Sequence, residues 1–557
     1  MQTMNLITVS HLKLLNIMTI IWGFLSTRGT LAFLSRPSYS IQKSHSFSCF
    51  RYATFSNLSS TLKANPSNES NIIHTNVPKK FKPFPFQYQQ ELKLTVSGLT
   101  NRGIGVCRVP IETLSEEMTN NNGDDDDKIK EELSSNKGNW VVMVPNVIPG
   151  ETIRAKVYRN FNTYSEADLV EIVEASPNRV EPPCPFFDEC GGCQYQHMDI
   201  ETQRKWKTSQ VQDLLQRIGK LDPSSFPETR PTVGTDEIYH YRSKITPHYD
   251  RPVKSSSKVG DMEIRAIGFK KKTNRNLIDV DYCHIATEAI NSKLVQLRQE
   301  LFDKAREGKL EKPNKGATLL LRDALKYDVN NPLSQEQVIE TDNNVYVKTM
   351  VKDLTFKYVA GNFFQNNPFM LPIMVDHVVQ AAIEPNLKGE KMTHLIDCYC
   401  GSGLFCLSAS NQFDICVGIE VNEKAVEEAA ENASLNNIVN CKFVAASAEA
   451  IFLSNDPIHL ESSTTFVKDF PKDKTVVVID PPRKGCSEEF LEQLYSYAPQ
   501  RVVYMSCDPA TQARDAEGIV KAGYKIISIQ PFDLFPQTRH IESLIVFEKI
   551  SLEQNVL

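Results

Sequence analysis

The chain has 557 residues, 41% of them hydrophobic and 23% charged, with a formal net charge of −6. That length allows roughly three or four domains around ordinary cores, which excludes fibrous and low-complexity classes. The negative balance excludes a uniformly basic nucleic-acid binder, so any nucleic-acid surface must be a local patch.

Residues 1–70 read as an address rather than a domain. Residues 1–68 carry six Lys/Arg and no Asp or Glu, and are rich in Ser and Thr, the composition of an organelle transit sequence. Residues 14–25 (LLNIMTIIWGFL) form an apolar stretch after Lys13 that is too short to span a bilayer comfortably. A signal-like core followed by a second basic, Ser-rich segment resembles the two-part presequence of a plastid surrounded by extra membranes; a mitochondrial presequence is the alternative. Simple secretion fits less well, because the downstream cysteines are spaced as ligands rather than as a disulfide framework.

Residues 88–178 change to short alternating segments. LKLTVSGLTNRGIGVCRV, NWVVMVPNVIPGETIRAKVYRN and YSEADLVEIVEASPNRV predict a five-stranded barrel with bends at Gly98, Gly103, Gly105 and Gly150. Gly-Ile-Gly-Val and the later Val-Pro-Asn-Val-Ile-Pro-Gly-Glu resemble the TRAM domain, an OB-like barrel that binds RNA. Residues 111–139 interrupt it with nine acids against three bases and read as a solvated loop.

The stretch 182–197, PPCPFFDECGGCQYQH, opens a central α+β segment, 179–355. Cys184, Cys190 and Cys193 are spaced C-x5-C-x2-C, and two glycines let the backbone wrap closely around an ion or cluster. Cys283, in LIDVDYCHIA, is the best candidate for a fourth thiolate. Three near cysteines plus a distant one suit a [4Fe–4S] cluster or a tetrahedral zinc. Tyr241, Arg242 and Lys244 on one predicted strand, with Lys270, Lys271, Lys272 and Arg275 in a hairpin turn, make the clearest basic and aromatic concentration. A solvated hairpin tip accounts for the lysines equally well.

Residues 356–550 have the rhythm of a doubly wound, Rossmann-like α/β domain. The apolar strand THLID (393–397) leads into the glycine turn CGSG (400–403) and a helix, the arrangement that nucleotide-type cofactor sites require. The strand ICVGIE ends in Glu420, whose carboxylate can accept from two ribose hydroxyls. VVVID (476–480) ends in Asp480 before a proline-fixed loop. RVVYMSCDP (501–509) predicts a buried strand broken at Asp508-Pro509, with Cys507 at its carboxyl end, where open parallel sheets bind ligands.

The ordered set FFQNNP (363–368), LIDCYCGSG (395–403), GIEVNEKAV (418–426), DPPRKG (480–485), YMSCDP (504–509) and LFPQTRHIE (534–542) resembles the RNA uracil-5 methyltransferase family, over about residues 90–548. With the TRAM-like barrel and four cysteines, the likeness is greatest to the bacterial-type 23S ribosomal RNA enzymes. The resemblance implies a class I methyltransferase domain with Gln365, Tyr399, Glu420 and Asp480 around S-adenosylmethionine, Cys507 as nucleophile and Glu542 as general base. It also implies a [4Fe–4S] cluster on Cys184, Cys190, Cys193 and Cys283. The partner is then RNA, ribosomal RNA or tRNA, with 23S-type ribosomal RNA of the organelle favoured, and the chain is expected to be a monomer without stable membrane association.

The chemistry suits those residue types. Uracil C5 is too weakly nucleophilic to take a methyl group unaided, but a thiolate added at C6 gives the ring carbanion character at C5. A carboxylate must then take the C5 proton so that the thiolate can leave. His540 is a second acid–base candidate, with a structural hydrogen-bonding role the more economical reading. A stacked base exposes neither face, so the target must be a loop or flipped uridine, with Phe363, Phe364 and Phe532 as stacking candidates. Two positions depart from the family pattern: Leu404 and Asp508 stand where Asn is usual. The remaining readings are a transfer-RNA uracil-5 methyltransferase and a non-catalytic RNA-binding assembly factor. The latter would be signalled by loss of Cys507, Glu542 or Asp480, and all three are present.

Overall fold

The computed structural model describes residues 85–111, 138–254, 262–311, 314–332, 334–448 and 470–550, with 78, 81–82 and 467. The basic presequence, the interior of the acidic insert and most of the polar stretch 454–474 lie outside the described residues.

Alternating sequence produces a closed barrel at the amino-terminal side. Strands β1 (Glu91–Leu99), β2 (Gly105–Pro110), β3 (Asn139–Val144), β4 (Thr152–Asn160) and β5 (Tyr164–Glu174) close in the order β1-β2-β3-β5-β4. Every second side chain points inward, so Leu94, Val96, Cys107, Trp140, Val142, Val144, Ile153, Ala155, Val157 and Ala167 fill the lumen. A register break between Val96 and Gly98 bends β1. Gly105 has no room for a side chain, because a Cβ there would meet Val147 at 2.1 Å.

Among its described residues the central segment has two α-helices, one 3-10 turn (Pro223–Ser225) and eleven short strands. Helix α1 (Ile200–Arg217) is capped by Asp199, whose side chain accepts from the Thr202 N–H, and α2 (Glu288–Arg306) by Thr287 in the same way. The strands are β6 (Lys244–Ile245), β7 (His248–Tyr249), β8 (Val253–Lys254), β9 (Met262–Glu263), β10 (Ile267–Lys270), β11 (Leu277–Asp279), β12 (Ala317–Thr318), β13 (Leu321–Lys326), β14 (Gln337–Glu340), β15 (Tyr346–Val351) and β16 (Leu354–Val359). They form sheets β11-β10-β7-β12 and β14-β13-β15-β16, with β6 paired to β13 and β8 to β9. Tyr241, Arg242 and Lys244 do not share a strand as the sequence predicts. Only Lys244 lies in one, while Arg242 makes an isolated bridge to Ala286.

The carboxy-terminal α/β domain has one seven-stranded sheet. Its elements are α3 (Met370–Ile383), β17 (His394–Cys398), α4 (Leu404–Ala409), β18 (Ile415–Glu420), α5 (Glu423–Leu435), β19 (Cys441–Ala445), β20 (Thr475–Ile479), α6 (Glu488–Tyr497), β21 (Arg501–Ser506), α7 (Pro509–Lys521), β22 (Tyr524–Phe532) and β23 (Glu542–Lys549). The strand order is β19-β18-β17-β20-β21-β23-β22. The first five are parallel; of these β17, β20 and β21 are buried on both faces, which is why they read as near-continuous apolar runs, while the edge strand β19 is partly exposed. Val476, Val477, Val478 and Ile479 are fully buried, each side chain contributing about 1.5–3 kcal/mol. The sheet is not wholly parallel: β23 slots between β21 and β22 antiparallel to both. One face carries Val211 and Leu215 of α1 in the same apolar cluster as Ala513 and Ala516 of α7, so a helix from the central segment completes the carboxy-terminal core. Chain order reverses between β17 and β20, and a crevice at the carboxyl ends of strands flanking such a switch is where open α/β sheets bind ligands.

Candidate functional site

The first half of the crevice is built around the turn after β17. Tyr399 has φ 65°, Gly401 φ 53° and Gly403 φ 90°, three left-handed residues that swing the chain from strand into α4. At Gly403 a Cβ would also meet Leu407, Phe443 and Ala429 at 3.1–3.3 Å, so both backbone and space require glycine there. The Cys406 N–H donates to Asp397 Oδ2 at 2.9 Å, and the Gly401 N–H donates to Glu420 Oε2 at 3.2 Å. Glu420 Oε1 accepts from the Asn422 N–H at 3.0 Å. Each Glu420 oxygen keeps further lone-pair capacity for a diol.

Carboxyl groups crowd this end of the sheet. Asp397 is fully buried, and burial, reinforced by Asp480 and Glu420, holds its pKa well above the carboxylate range. Its Oδ1 has no hydrogen-bond partner. Burial alone pushes half-buried Asp480, one residue past β20, up to about 7. Gln365 lies on a loop pinned from two sides. Ser243 donates its N–H and hydroxyl to the Asn366 carbonyl, at 2.8 and 3.1 Å, while Asn367 Nδ2 donates to the Leu534 carbonyl at 2.9 Å. Leu404 opens α4 and packs on the apolar core, the role of a spacer rather than a polar contact.

The second half is made by β21 and β23. Ser506 pairs with Ser543, so Cys507 emerges opposite Glu542. Asp508 caps α7, its Oδ1 accepting from the Ala510 N–H at 3.1 Å, a task Asn performs equally well. Cys507 is half-buried, and its thiol is pushed up to about 12 by burial and by the charges of Glu542 and Asp480, while Arg483 bonds to it and pulls the other way. Glu542 is buried and held well above the carboxylate range by burial and by Asp480, again opposed by Arg483. Arg483 is thus the one guanidinium acting on both the Cys507 thiol and the Glu542 carboxyl. The proline-fixed loop bearing Arg483 closes at Gly485, φ 77°, where a Cβ would strike Arg514 at 2.5 Å and Asp515 at 2.7 Å. His540 is held down to about 4 by burial and by Arg483, Arg539, Lys207 and Arg242, so at neutral pH its imidazole carries no charge.

Residues 533–541, leading into Glu542, are gripped from the central segment by groups the sequence reasoning missed. Lys207 and Asp533, both fully buried, pair at 2.5 Å. Gln203 Nε2 donates to Gln537 Oε1 at 3.0 Å, and the Gln537 N–H returns to Gln203 Oε1 at 3.0 Å. The Gln194 and Tyr195 N–H groups both donate to the Gln537 carbonyl at 3.0 Å, and the Arg539 N–H to Gln194 Oε1 at 3.1 Å. Tyr241 OH donates to the Pro536 carbonyl at 2.9 Å. A lysine inside an otherwise amphipathic helix was the one signal available.

Gln194 and Tyr195 directly follow the cysteine motif. Cys184, Cys193 and Cys283 share one apolar cluster with Phe187 and Tyr241, and Cys190 is near enough for its charge to act on both Cys193 and Cys283. Burial raises all four thiols, Cys193 to about 12 and Cys283 to about 11, and like charge among them adds to it. Holding four thiolates together therefore calls for cationic charge among them. Among the described residues the only His, Cys, Asp or Glu trio with donor atoms all within 4.8 Å is elsewhere, at Cys406, Cys416 and Cys441.

Other candidates are reassigned. Tyr241 is fully buried, and Lys244 Nζ donates to the Gly361 and Asn362 carbonyls at 2.8 and 3.2 Å, so both brace the fold. Lys271 pairs with Glu189, and Lys272 lies 4.2 Å over the Phe187 ring, leaving Lys270 and Arg275 exposed. Phe364 stacks on Tyr358 at 4.3 Å and Phe532 is fully buried, so neither is free to stack on a base. Phe363 is 77% exposed.

The family described as tRNA (Uracil-5-)-methyltransferase matches residues 314–550. The chain is 34% identical over 474 residues to a Schizosaccharomyces pombe tRNA (uracil(54)-C(5))-methyltransferase, covering 84% of this chain and 80% of that one. It is 31% identical over 509 residues to an uncharacterised RNA methyltransferase of Halalkalibacterium halodurans, covering 83% and 98%. The crystal structure of Pyrococcus abyssi tRNA (uracil-54, C5)-methyltransferase with S-adenosyl-L-homocysteine aligns with TM-score 0.53 and 21% identity, over 82% of this chain and all of that one, a likeness of fold.

Proposed function

This chain belongs to the RNA uracil-5 methyltransferase family, and from that premise we propose that it methylates uracil C5 in transfer RNA through a covalent Cys507 adduct. It is an S-adenosylmethionine-dependent RNA methyltransferase. The observation that carries the mechanism is Cys507 facing Glu542 across the antiparallel β21–β23 pair, with Asp480 and Arg483 beside them. The sequence alone leans to ribosomal RNA. The 34% likeness to a protein named for uracil 54 of tRNA, across four-fifths of both chains, moves the proposal to tRNA.

In this reading Glu420 binds the ribose of the cofactor, Asp480, Tyr399 and Gln365 line its place, and the cofactor supplies an electrophilic methyl group and a positive charge. Cys507 gives up its proton to solvent as Arg483 and the amino end of α7 stabilise the thiolate, and its sulfur bonds to C6 of the uracil as the C5–C6 double bond opens. The electron pair left at C5 would take the methyl group, the S–CH3 bond breaking to release S-adenosylhomocysteine as a neutral thioether. Glu542, ionised in the loaded site, accepts the C5 proton; the C5–C6 double bond re-forms and Cys507 leaves as thiolate. Phe363 is the exposed aromatic ring available to stack on a flipped base.

Cys184, Cys190, Cys193 and Cys283 would hold a [4Fe–4S] cluster: the donor set is purely sulfur, three of the four share one apolar cluster and the charge of Cys190 acts on Cys193 and Cys283. Its role there is to brace the loop whose Gln194 and Tyr195 grip residues 533–541. The closed β1–β5 barrel is proposed as a TRAM-type RNA-binding module, and the basic leader as an organelle presequence, plastid favoured over mitochondrion. A fluorescent fusion of residues 1–90 tests the last point.

The deciding experiment incubates anaerobically purified protein with methyl-labelled S-adenosylmethionine and, separately, organelle tRNA and ribosomal RNA, followed by nucleoside analysis. Label in 5-methyluridine from tRNA is expected. Label from ribosomal RNA alone overturns the substrate, and label in neither overturns the activity.

A further inference from the structure

A second sulfur cluster lies apart from the four central cysteines, on the face of the sheet opposite α1. Cys416 and Cys441 stand directly opposite each other on the adjacent parallel strands β18 and β19. Cys406 lies on α4, within the apolar cluster that also holds Cys416 and packs against Cys441. The three sulfurs all lie within 4.8 Å of one another, and all three are free thiols. No fourth His, Cys, Asp or Glu joins them among the described residues.

We infer that Cys406, Cys416 and Cys441 form a site for a single soft, thiophilic cation bound by three sulfurs. One ion with metal–sulfur bonds of about 2.3 Å holds three sulfurs about 4 Å apart in a trigonal arrangement, and strand register together with the helix cover already sets that spacing. Thiolate donors select soft ions such as Cu(I) and reject Mg2+ and Ca2+, which take oxygen. Three sulfurs without a fourth donor suit a three-coordinate ion better than a structural zinc, which takes four ligands. Cys406 and Cys416 are buried and Cys441 is half-buried, which makes Cys441 the point of entry. Binding replaces up to three S–H bonds by S–metal bonds and releases the protons to solvent, with no change of oxidation state.

The occupant would join α4 to β18 and β19. Because α4 begins at the Gly403 turn and its Cys406 N–H holds Asp397, that link would stiffen the glycine turn.

The test uses the full chain, reduced and anaerobic with its central cysteines occupied as isolated, and Cd2+ alone as the probe. Equilibrium dialysis should give one more tightly held equivalent for wild type than for Cys441→Ala or Cys406→Ala. Should a variant fold poorly, the wild type decides on its own: Cd2+ should slow alkylation of Cys441 by N-ethylmaleimide at least about tenfold, mapped by peptide mass spectrometry. Equal Cd2+ uptake by wild type and variants, or unchanged Cys441 alkylation, overturns the site. So does quantitative formation of a Cys416–Cys441 disulfide with glutathione disulfide that Cd2+ does not prevent.

Discussion

Gly401 reaches Glu420 across 19 residues of chain and Cys406 reaches Asp397 across 9, whereas Asp533 meets Lys207 across 326 and Arg539 meets Gln194 across 345. The turn from Asp397 to Glu420 is thus assembled from one stretch of sequence, with Gln365 and Asp480 brought to it from elsewhere. The half leading to Glu542 is assembled from two distant ones. The first can form wherever the βαβ unit forms; the second depends on the central segment being folded and docked. Damage far from the chemistry should therefore separate the two, leaving cofactor binding while removing turnover.

The widest separation is expected from the reacting groups. Cys507→Ala should lower turnover by at least about 10⁴-fold and abolish the covalent RNA adduct, with S-adenosylmethionine affinity within about twofold of wild type by calorimetry. Glu542→Gln should also lose about 10²–10⁴-fold in turnover but trap the adduct, visible as an RNA-linked band in denaturing gels. A Glu542→Gln enzyme that turns over normally would remove Glu542 from its role. The grip itself comes next. Lys207→Met leaves buried Asp533 with only the longer Arg204 contact, at 3.8 Å, as counter-charge and should cost about 3–5 kcal/mol in urea unfolding, largely recovered in Lys207→Met/Asp533→Leu. If the double variant refolds but turns over as slowly as the single, positioning rather than stability is what the pair supplies.

Cys190→Ser sharpens the same comparison through the four-cysteine loop. Loss of one ligand should bleach the protein and lower kcat by about tenfold or more through residues 533–541, with cofactor affinity retained. An unaltered kcat in a bleached, folded protein would cut the link.

The smallest effect is a pH slope. Asp480 is raised from 3.8 to about 7 in the folded site, so it favours the unfolded chain once ionised. Its contribution to stability is intact below about pH 4 and is lost as pH rises through about 7. Ligand-free protein should therefore lose thermal stability across that window, and Asp480→Asn should flatten the slope. A cationic cofactor relieves the same carboxylate, so S-adenosylmethionine should bind more tightly as pH rises through 7, while S-adenosylhomocysteine, without the sulfonium charge, should not. Parallel curves for the two ligands would refute the electrostatic account.

The contrast also explains what could be read in the sequence. Strand ends at Asp397, Glu420, Asp480 and Cys507 were legible, because apolar runs bounded by Gly, Pro and acidic residues are local signals. The barrel was legible through its alternation. Gln203, Lys207 and Gln537 were not, because a polar residue on a helix shows nothing of a partner more than three hundred positions away. Tyr241 and Lys244 misled for a related reason: an RNA-facing base and a buried brace have the same letters, and only burial distinguishes them. Phe364 and Phe532 failed as stacking residues because aromatic side chains fill cores as readily as they line sites.

The antiparallel placement of β23 has a consequence in time. In the proposed mechanism the nucleophile, Cys507, lies one residue past β21, and the residue facing it begins β23, so Glu542 is synthesised after the glycine turn, the acidic strand ends and the cysteine. Until Glu542–Lys549 inserts between β21 and β22, those two strands have no common neighbour, and the thiol lacks the group that would release a methylated base. In the proposed mechanism, a chain lacking Glu542–Lys549 would have the thiol that forms the adduct but not the carboxylate that resolves it.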